Sequence, residues 1–389
     1  MRLTEREREI VALLRADPLL DAAALAERLG STRAAVSVHL SNLTRKGVLL
    51  GRGYLVRPEA QSVLVVGGAV LDAKMRISVR PVIGSSNPGV STSAVGGVGR
   101  NIAENLARLG SPTVLVAAVG DDLAGRTVAA RTEAAGVDCR HLVTSAYPTG
   151  TYAAVLDDEG DLLVAVADMR ATDELTVGEL GVVPSLLEGA DAVVVDANVS
   201  PTVIRWVLAA AADAGVPGVF EPVSVAKATE AARVLDGTVP VHTVTPNVDE
   251  LSALVGHPVD PEVDGVVEAA GLLHDRGVEH VWVRRGTRGS LLSVVPRPTA
   301  DDPRPTRRVH LVSAPPTTVE DVTGAGDAMT AGYVHSLLAG HGVVEAARYG
   351  QVLAALTVAS PDTVRADLTP ALVAAHLTPD QPPTQELSA

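Results

Sequence analysis

The chain has 389 residues, 47% of them apolar and 2% aromatic, with a formal net charge of −14 and a single cysteine. That length exceeds one small domain, and the aliphatic content suits a buried core, which excludes a disordered chain. No run is long and apolar enough to span a bilayer and Cys139 has no disulfide partner, so the expectation is a cytoplasmic protein without membrane contact, its thiol packed rather than reactive.

The charge is uneven along the chain. The first sixty residues carry ten Lys and Arg against seven Asp and Glu, a surplus of +3, so the remainder holds −17 within the total of −14. A basic head on an acidic body puts any nucleic-acid contact in the head. Thr4 and Glu7 stand at capping-box spacing ahead of Ile10, Leu13 and Leu14. Asp21 can cap a second helix that presents Leu25 and Leu29 and stops at Gly30. A third helix places Val36, Leu40 and Leu43 on one face. Its other face shows Ala34, Val38, Ser41 and Arg45, flanked by Arg33 and Ser37. Residues 47–56, with Arg52 among glycines, read as a short hairpin. The head is taken as residues 1–57 and the linker as 58–62.

From residue 63 to 377, short apolar runs alternate with amphipathic stretches, the pattern of an α/β fold with a mainly parallel sheet. Strands are expected at 63–66, 113–118, 192–196, 241–244 and 280–283. Residues 150–156 and 161–166 flank Asp157-Asp158-Glu159-Gly160 and form a hairpin. Gly96-Gly97-Val98-Gly99-Arg100-Asn101 opens a helix whose Ile102, Leu106 and Leu109 share a face, with Gly110 closing it. Asn247-Val248-Asp249-Glu250 follows a strand, and Arg285-Gly286-Thr287-Arg288-Gly289 is a further glycine loop. Residues 296–309 read as a Pro-rich surface loop and 378–389 as a disordered tail.

The run Asp321-Val322-Thr323-Gly324-Ala325-Gly326-Asp327 is a glycine turn opening directly into a helix. Gly324, Ala325 and Gly326 let an anion approach their backbone N–H groups at the positive end of that helix. A carboxylate beside such a site is repelled by phosphate unless it has chemistry to do, and removing a proton from an attacking hydroxyl is the candidate role of Asp327.

This run, with 96–110 upstream of it, resembles the two signatures of the ribokinase-like (PfkB) family of sugar and nucleoside kinases. The resemblance implies a three-layer αβα sandwich with a small β-sheet lid from about 72–95 and 150–170. It implies a phosphotransferase using ATP and Mg²⁺, with Asp327 as base and Gly324, Ala325 and Gly326 as anion hole. Asp72, Gly97 and Asn101 would meet the substrate hydroxyls, although Asn101 could instead cap its helix. Asn247 and Glu250 would hold magnesium through water. Asn247, Gly286, Gly289, Gly324 and Gly326 would meet the nucleotide, and Asp321 a monovalent cation such as K⁺. Pairing of lids implies a homodimer. Three positions depart from the family pattern: Val70 stands where many relatives carry Asn, Arg285 where a small or apolar residue is usual, and Glu221-Pro222 replaces Asp-Pro.

The head resembles the winged helix-turn-helix of bacterial regulators. That implies double-stranded DNA as a partner, the third helix in the major groove, Ser37 and Ser41 toward bases and Arg33, Arg45 and Arg52 near phosphates. A surface for protein contact is the other reading. Within the kinase family, Ser86-Asn87-Pro88-Gly89 and Ala167-Asp168-Met169 are similar to pseudouridine kinases. They imply phosphorylation of the pseudouridine 5′-hydroxyl, with Asn87 and Asp168 either reading the uracil edge or serving as lid turn residues. The alternatives are a kinase of another sugar or nucleoside, and a regulator whose kinase body senses a ligand.

Overall fold

The computed structural model describes residues 4–16, 20–46, 48–49, 62–296, 306–377 and 385–387. The chain divides into two compact units, Met1–Gln61 and Ser62–Ala389.

In the first unit three helices, Glu5–Ala16, Ala22–Arg28 and Arg33–Arg45, enclose Ile10, Leu14, Leu25, Val36, Leu40 and Leu43. Their ends are set locally. The Thr4 backbone N–H donates to Glu7 at 2.7 Å, and Glu7 N–H donates back to Thr4 Oγ1 at 3.2 Å. Asp21 accepts from the N–H groups of Ala23 and Ala24. Lys46 Nζ reaches buried Glu7 at 2.6 Å, and that bond is the main cause holding the Glu7 carboxyl below its ordinary range. Arg33, Ser37, Ser41 and Arg45 lie on the exposed face of the third helix. Apart from residues 48–49, the expected hairpin, Arg52 within it, falls outside the described residues, as does nearly all of the linker.

The second unit contains, among the described residues, strands β1 (Val63–Val66), β2 (Val70–Ile77), β3 (Gly89–Gly96), β4 (Thr113–Val116), β5 (Ala118–Gly120), β6 (Val143–Ser145), β7 (Gly150–Leu156), β8 (Leu162–Asp168), β9 (Ala192–Asp196), β10 (Gly218–Glu221), β11 (Val241–Val244), β12 (Val278–Arg284), β13 (Ser290–Val294), β14 (Arg308–Val312) and β15 (Gln385–Leu387). Nine of them form one sheet in the order β15-β14-β13-β12-β11-β10-β9-β1-β4. It is parallel from β4 to β12 and antiparallel from β12 to β15. Both faces are covered. Leu64 and Val66 join the core beneath helices Pro201–Ala214 and Val263–Asp275, whereas Val63 and Val65 pack with helices Val98–Arg108 and Ala325–Leu338. Burial on both faces explains why these strands read as continuous Val runs.

A second sheet of four strands, β3-β2-β7-β8, stands apart from the first. Its members include both segments expected for the lid, and β2 pairs parallel with β7. Two expectations need correction. The loop placed at 296–309 gives way to β14 at Arg308, and the tail placed at 378–389 contains β15, paired antiparallel to β14. β14 pairs with the strand just before it, β13, whereas the partner of β15 is remote in sequence and no local pattern reveals it. Cys139 is buried, and that burial pushes its thiol up to about 12, as a packed thiol requires.

Candidate active site

The parallel strands end on one edge, and the residues just past them build the site, as is usual for open α/β sheets. β1 runs into Gly67-Gly68, β9 ends at Asp196, β10 at Glu221, and β11 leads to Thr245 and Asn247. Asp196 is fully buried. Its Oδ2 accepts from the N–H groups of Gly68 at 2.9 Å and Gly99 at 2.6 Å, while Oδ1 accepts from Asn198 N–H at 2.8 Å. One carboxylate therefore fastens the end of β9 to the loop after β1 and to the start of helix Val98–Arg108. Gly97, which precedes that helix, has φ 96, and a Cβ there would meet Gly68 O at 2.4 Å. No other residue fits that turn.

The second glycine turn lies opposite. Gly324 has φ 78, with Thr363 O only 2.1 Å from where a Cβ would sit. Helix Ala325–Leu338 starts there, and Asp327 falls in its first turn, 9% exposed. Asn101 Nδ2 donates to Asp327 Oδ2 at 2.8 Å, and Arg100 Nη1 donates to Asn101 Oδ1 at 2.8 Å, which fixes the carboxamide. Asn101 therefore does not cap its helix, a position held by Gly97. Among the described residues Asp327 Oδ1 makes no hydrogen bond. Burial pushes the Asp327 carboxyl up to about 8, with the charge of Glu221 adding to the rise; the Asn101 bond and the Arg284 charge oppose it.

A cavity of about 550 Å³ opens over Asp327. Its walls include Asp72, Gly97, Asn101, Asn247, Glu250 and Gly324. A second, of about 450 Å³, lies on the far side of the same turn, between the glycine loop Gly286–Gly289 and an apolar wall of Pro315, Met329, Ala354 and Val358. Arg284, Gly286 and Gly326 line both. Asn247 and Glu250 form a reciprocal cap, Asn247 Oδ1 accepting from Glu250 N–H and Glu250 Oε2 from Asn247 N–H. Glu250 Oε1 carries no hydrogen bond among the described residues, so it is free to accept from a metal-bound water.

Most of the residues singled out from sequence for the kinase site thus line one or other of these two cavities, and three do not. Asn87 spends its carboxamide within its own turn, accepting from Val82 N–H and donating to the carbonyls of Val82 and Ser85. Asp168 is clamped by Arg170 at 2.6 and 2.9 Å, which lowers its carboxyl to about 2. Neither lines the cavity over Asp327: Asn87 is held within its own loop between β2 and β3, and Asp168 ends β8, paired with Thr151. Asp321 accepts from Thr323 N–H at 2.8 Å and lines neither cavity. In exchange, the fold adds Thr172 and Arg284, which carried no signal of their own, and gives Asp196 and Asn198 their places at the site. Thr172 Oγ1 is buried in the cavity wall without a partner among the described residues.

A sequence model of the pfkB family carbohydrate kinases matches residues 61–369. The chain belongs to that family. This kinase also carries a match to a winged helix-turn-helix DNA-binding model at residues 3–49. It is 32% identical over 312 residues to pseudouridine kinase of Escherichia coli K12, covering 80% of this chain and 94% of that protein. It is 31% identical over 359 residues to the uncharacterized sugar kinase YeiI of the same strain, covering 92% of this chain and 94% of the relative. Among solved structures, a carbohydrate kinase from Agrobacterium tumefaciens superposes with a TM-score of 0.71 at 29% identity, over 84% of this chain and all of that one. Arabidopsis thaliana ribokinase with ribose and ATP gives 0.67 at 25% identity, over 78% and 94%. The kinase is a sugar or nucleoside phosphotransferase with a hydroxyl acceptor.

Proposed function

We propose that this kinase transfers the γ-phosphoryl group of ATP to the 5′-hydroxyl of pseudouridine, and that its first unit binds double-stranded DNA. One observation carries the catalytic reading: a buried carboxylate, held by Asn101 on one oxygen and open on the other, beside the backbone turn Gly324–Gly326. Asp327 Oδ1 takes the proton of the acceptor hydroxyl as its oxygen bonds to the γ-phosphorus and the bond to the β–γ bridging oxygen breaks. The N–H groups of the turn receive the developing phosphoryl charge. Asp72 and Asn101 meet the sugar hydroxyls. The glycine loop at 286–289 and the apolar second cavity suit an adenine nucleotide. Glu250, with Asn247 capping it, would hold magnesium through water, and that ion would offset phosphate charge. Asp321 remains the proposed neighbour of a monovalent cation.

The choice of pseudouridine rests on the relative from Escherichia coli. Thr172 and Asn198 are two polar residues of the cavity wall, whereas Asn87 and Asp168 do not line it. Radiolabelled ATP offered with pseudouridine, uridine, ribose and adenosine tests it: preferential labelling of pseudouridine is expected, and labelling of ribose or adenosine instead refutes it. The DNA reading is supported by the exposed Arg33, Ser37, Ser41 and Arg45 on one helix face. A homodimer through the second sheet is supported by its exposed Val90, Val164 and Val166.

A further inference from the structure

Arg284 is the one lysine or arginine among the described residues lining either cavity, and it lines both. Its surroundings are otherwise acidic. Glu221, Glu250 and Asp327 all face this seam, so an incoming triphosphate meets three carboxyls and a single resident cation. Two of those carboxyls hold the guanidinium in place. Nη2 donates to Glu221 Oε1 at 2.6 Å and to Glu250 Oε2 at 3.1 Å, and Nη1 donates to Glu221 Oε2 at 3.3 Å. Glu221 is itself fixed by the hydroxyls of Thr245 at 2.7 Å and Thr330 at 2.9 Å. This leaves Nε–H and the second Nη1–H with no hydrogen bond among the described residues. Nη1 also lies directly over the backbone of the anion turn, only 2.3 Å from where a Cβ on Gly326 would stand.

We infer that Arg284 contacts the transferring phosphoryl group itself, a preset guanidinium across the seam between nucleotide and acceptor. A side chain serving only to neutralise Glu221 and Glu250 has no need to stand in both cavities or against the anion turn. The geometry also accounts for the glutamate in Glu221-Pro222: its second oxygen, on a longer side chain than aspartate, engages the same guanidinium. Guanidinium suits the task because it stays charged and offers forked donors to phosphate oxygens while others bind carboxylate.

The contact is on the terminal phosphate, so the test compares two nucleotides without any acceptor. Affinities of the full-length protein for the non-hydrolysable analogue AMP-PNP and for ADP are measured by calorimetry in EDTA, in wild type and in Arg284→Met. The variant is expected to weaken AMP-PNP by about 10- to 100-fold more than ADP, the loss of one or two charge-assisted hydrogen bonds. Equal weakening of both nucleotides, or none, overturns the inference and leaves Arg284 as a structural counter-ion. Because Arg284→Met strands two buried carboxylates, the double variant Arg284→Met with Glu221→Gln is measured in parallel. It removes one of those charges, and the same comparison decides. The inference rests on the proposed site, not on pseudouridine as substrate. A wild type that ignores pseudouridine leaves this outcome unaffected.

Discussion

Asn101 and Asp327 are 226 residues apart in the chain and 2.8 Å apart in the fold, the amide of one donating to the carboxylate of the other. The bond joins the two glycine turns and has an electrostatic consequence. Burial raises the Asp327 carboxyl to about 8, and Asn101 works against that rise. The acid limb of kcat/KM is therefore expected to rise with a midpoint near pH 8 in the free enzyme. In Asn101→Ala the midpoint moves to higher pH, since the stabilised form of the bond is the ionised one. A pH–rate profile that stays put in the variant contradicts this coupling.

Asp327→Asn is expected to lower kcat by about 10²- to 10⁴-fold, the range of a general base, while leaving ADP affinity near wild type. Retained turnover removes Asp327 from the chemistry.

The same substitution should stabilise the fold in a pH-dependent way. Between pH 4 and pH 8 the unfolded chain releases a proton that the folded chain keeps, so this group's contribution to stability falls as pH rises. Asparagine has no such proton. The gap between the unfolding midpoints of variant and wild type is expected to widen from pH 4 to pH 8 and flatten above it, as measured by thermal denaturation. A constant gap refutes the ionisation argument.

Val223 lines the large cavity with φ 71, a left-handed conformation that suits glycine and strains a β-branched side chain. Val223→Gly removes strain of about 1–2 kcal/mol against a glycine entropy cost of about 0.5–1 kcal/mol. Val223 is also partly buried against the core, and losing that contact costs about 1 kcal/mol. Stability should therefore stay within about 1 kcal/mol of wild type, while KM for the acceptor rises because a wall of the cavity is gone. Chemical denaturation and steady-state kinetics read the two effects separately.

For the first unit, Arg33→Ala should weaken DNA binding about equally across sequences and reduce the slope of log affinity against log salt by about 1. Ser37→Ala and Ser41→Ala should instead change which sequences bind. An unchanged salt slope in Arg33→Ala favours the reading of that face as a protein contact.

The amino-acid sequence by itself determined whatever depends on local geometry. Capping at Thr4, Asp21 and Asn247, glycines at 97, 110 and 324 where the chain needs positive φ, and apolar runs buried on both faces all fix their elements over a few residues. The two glycine turns were legible because positive φ hard against another backbone carbonyl, Gly68 O at one and Thr363 O at the other, tolerates almost nothing else. Only the tertiary structure decided where β15 pairs, since its partner β14 lies more than seventy residues before it, whereas β12, β13 and β14 are consecutive antiparallel strands. It alone withdrew Asn87 and Asp168 from the cavity, because their polar atoms are satisfied by neighbours two to five residues away. It alone brought Arg284 to the seam. An arginine at the end of a strand carries no local signature, and its meaning comes from Glu221, Glu250 and Gly326, which converge on it from three separate parts of the chain.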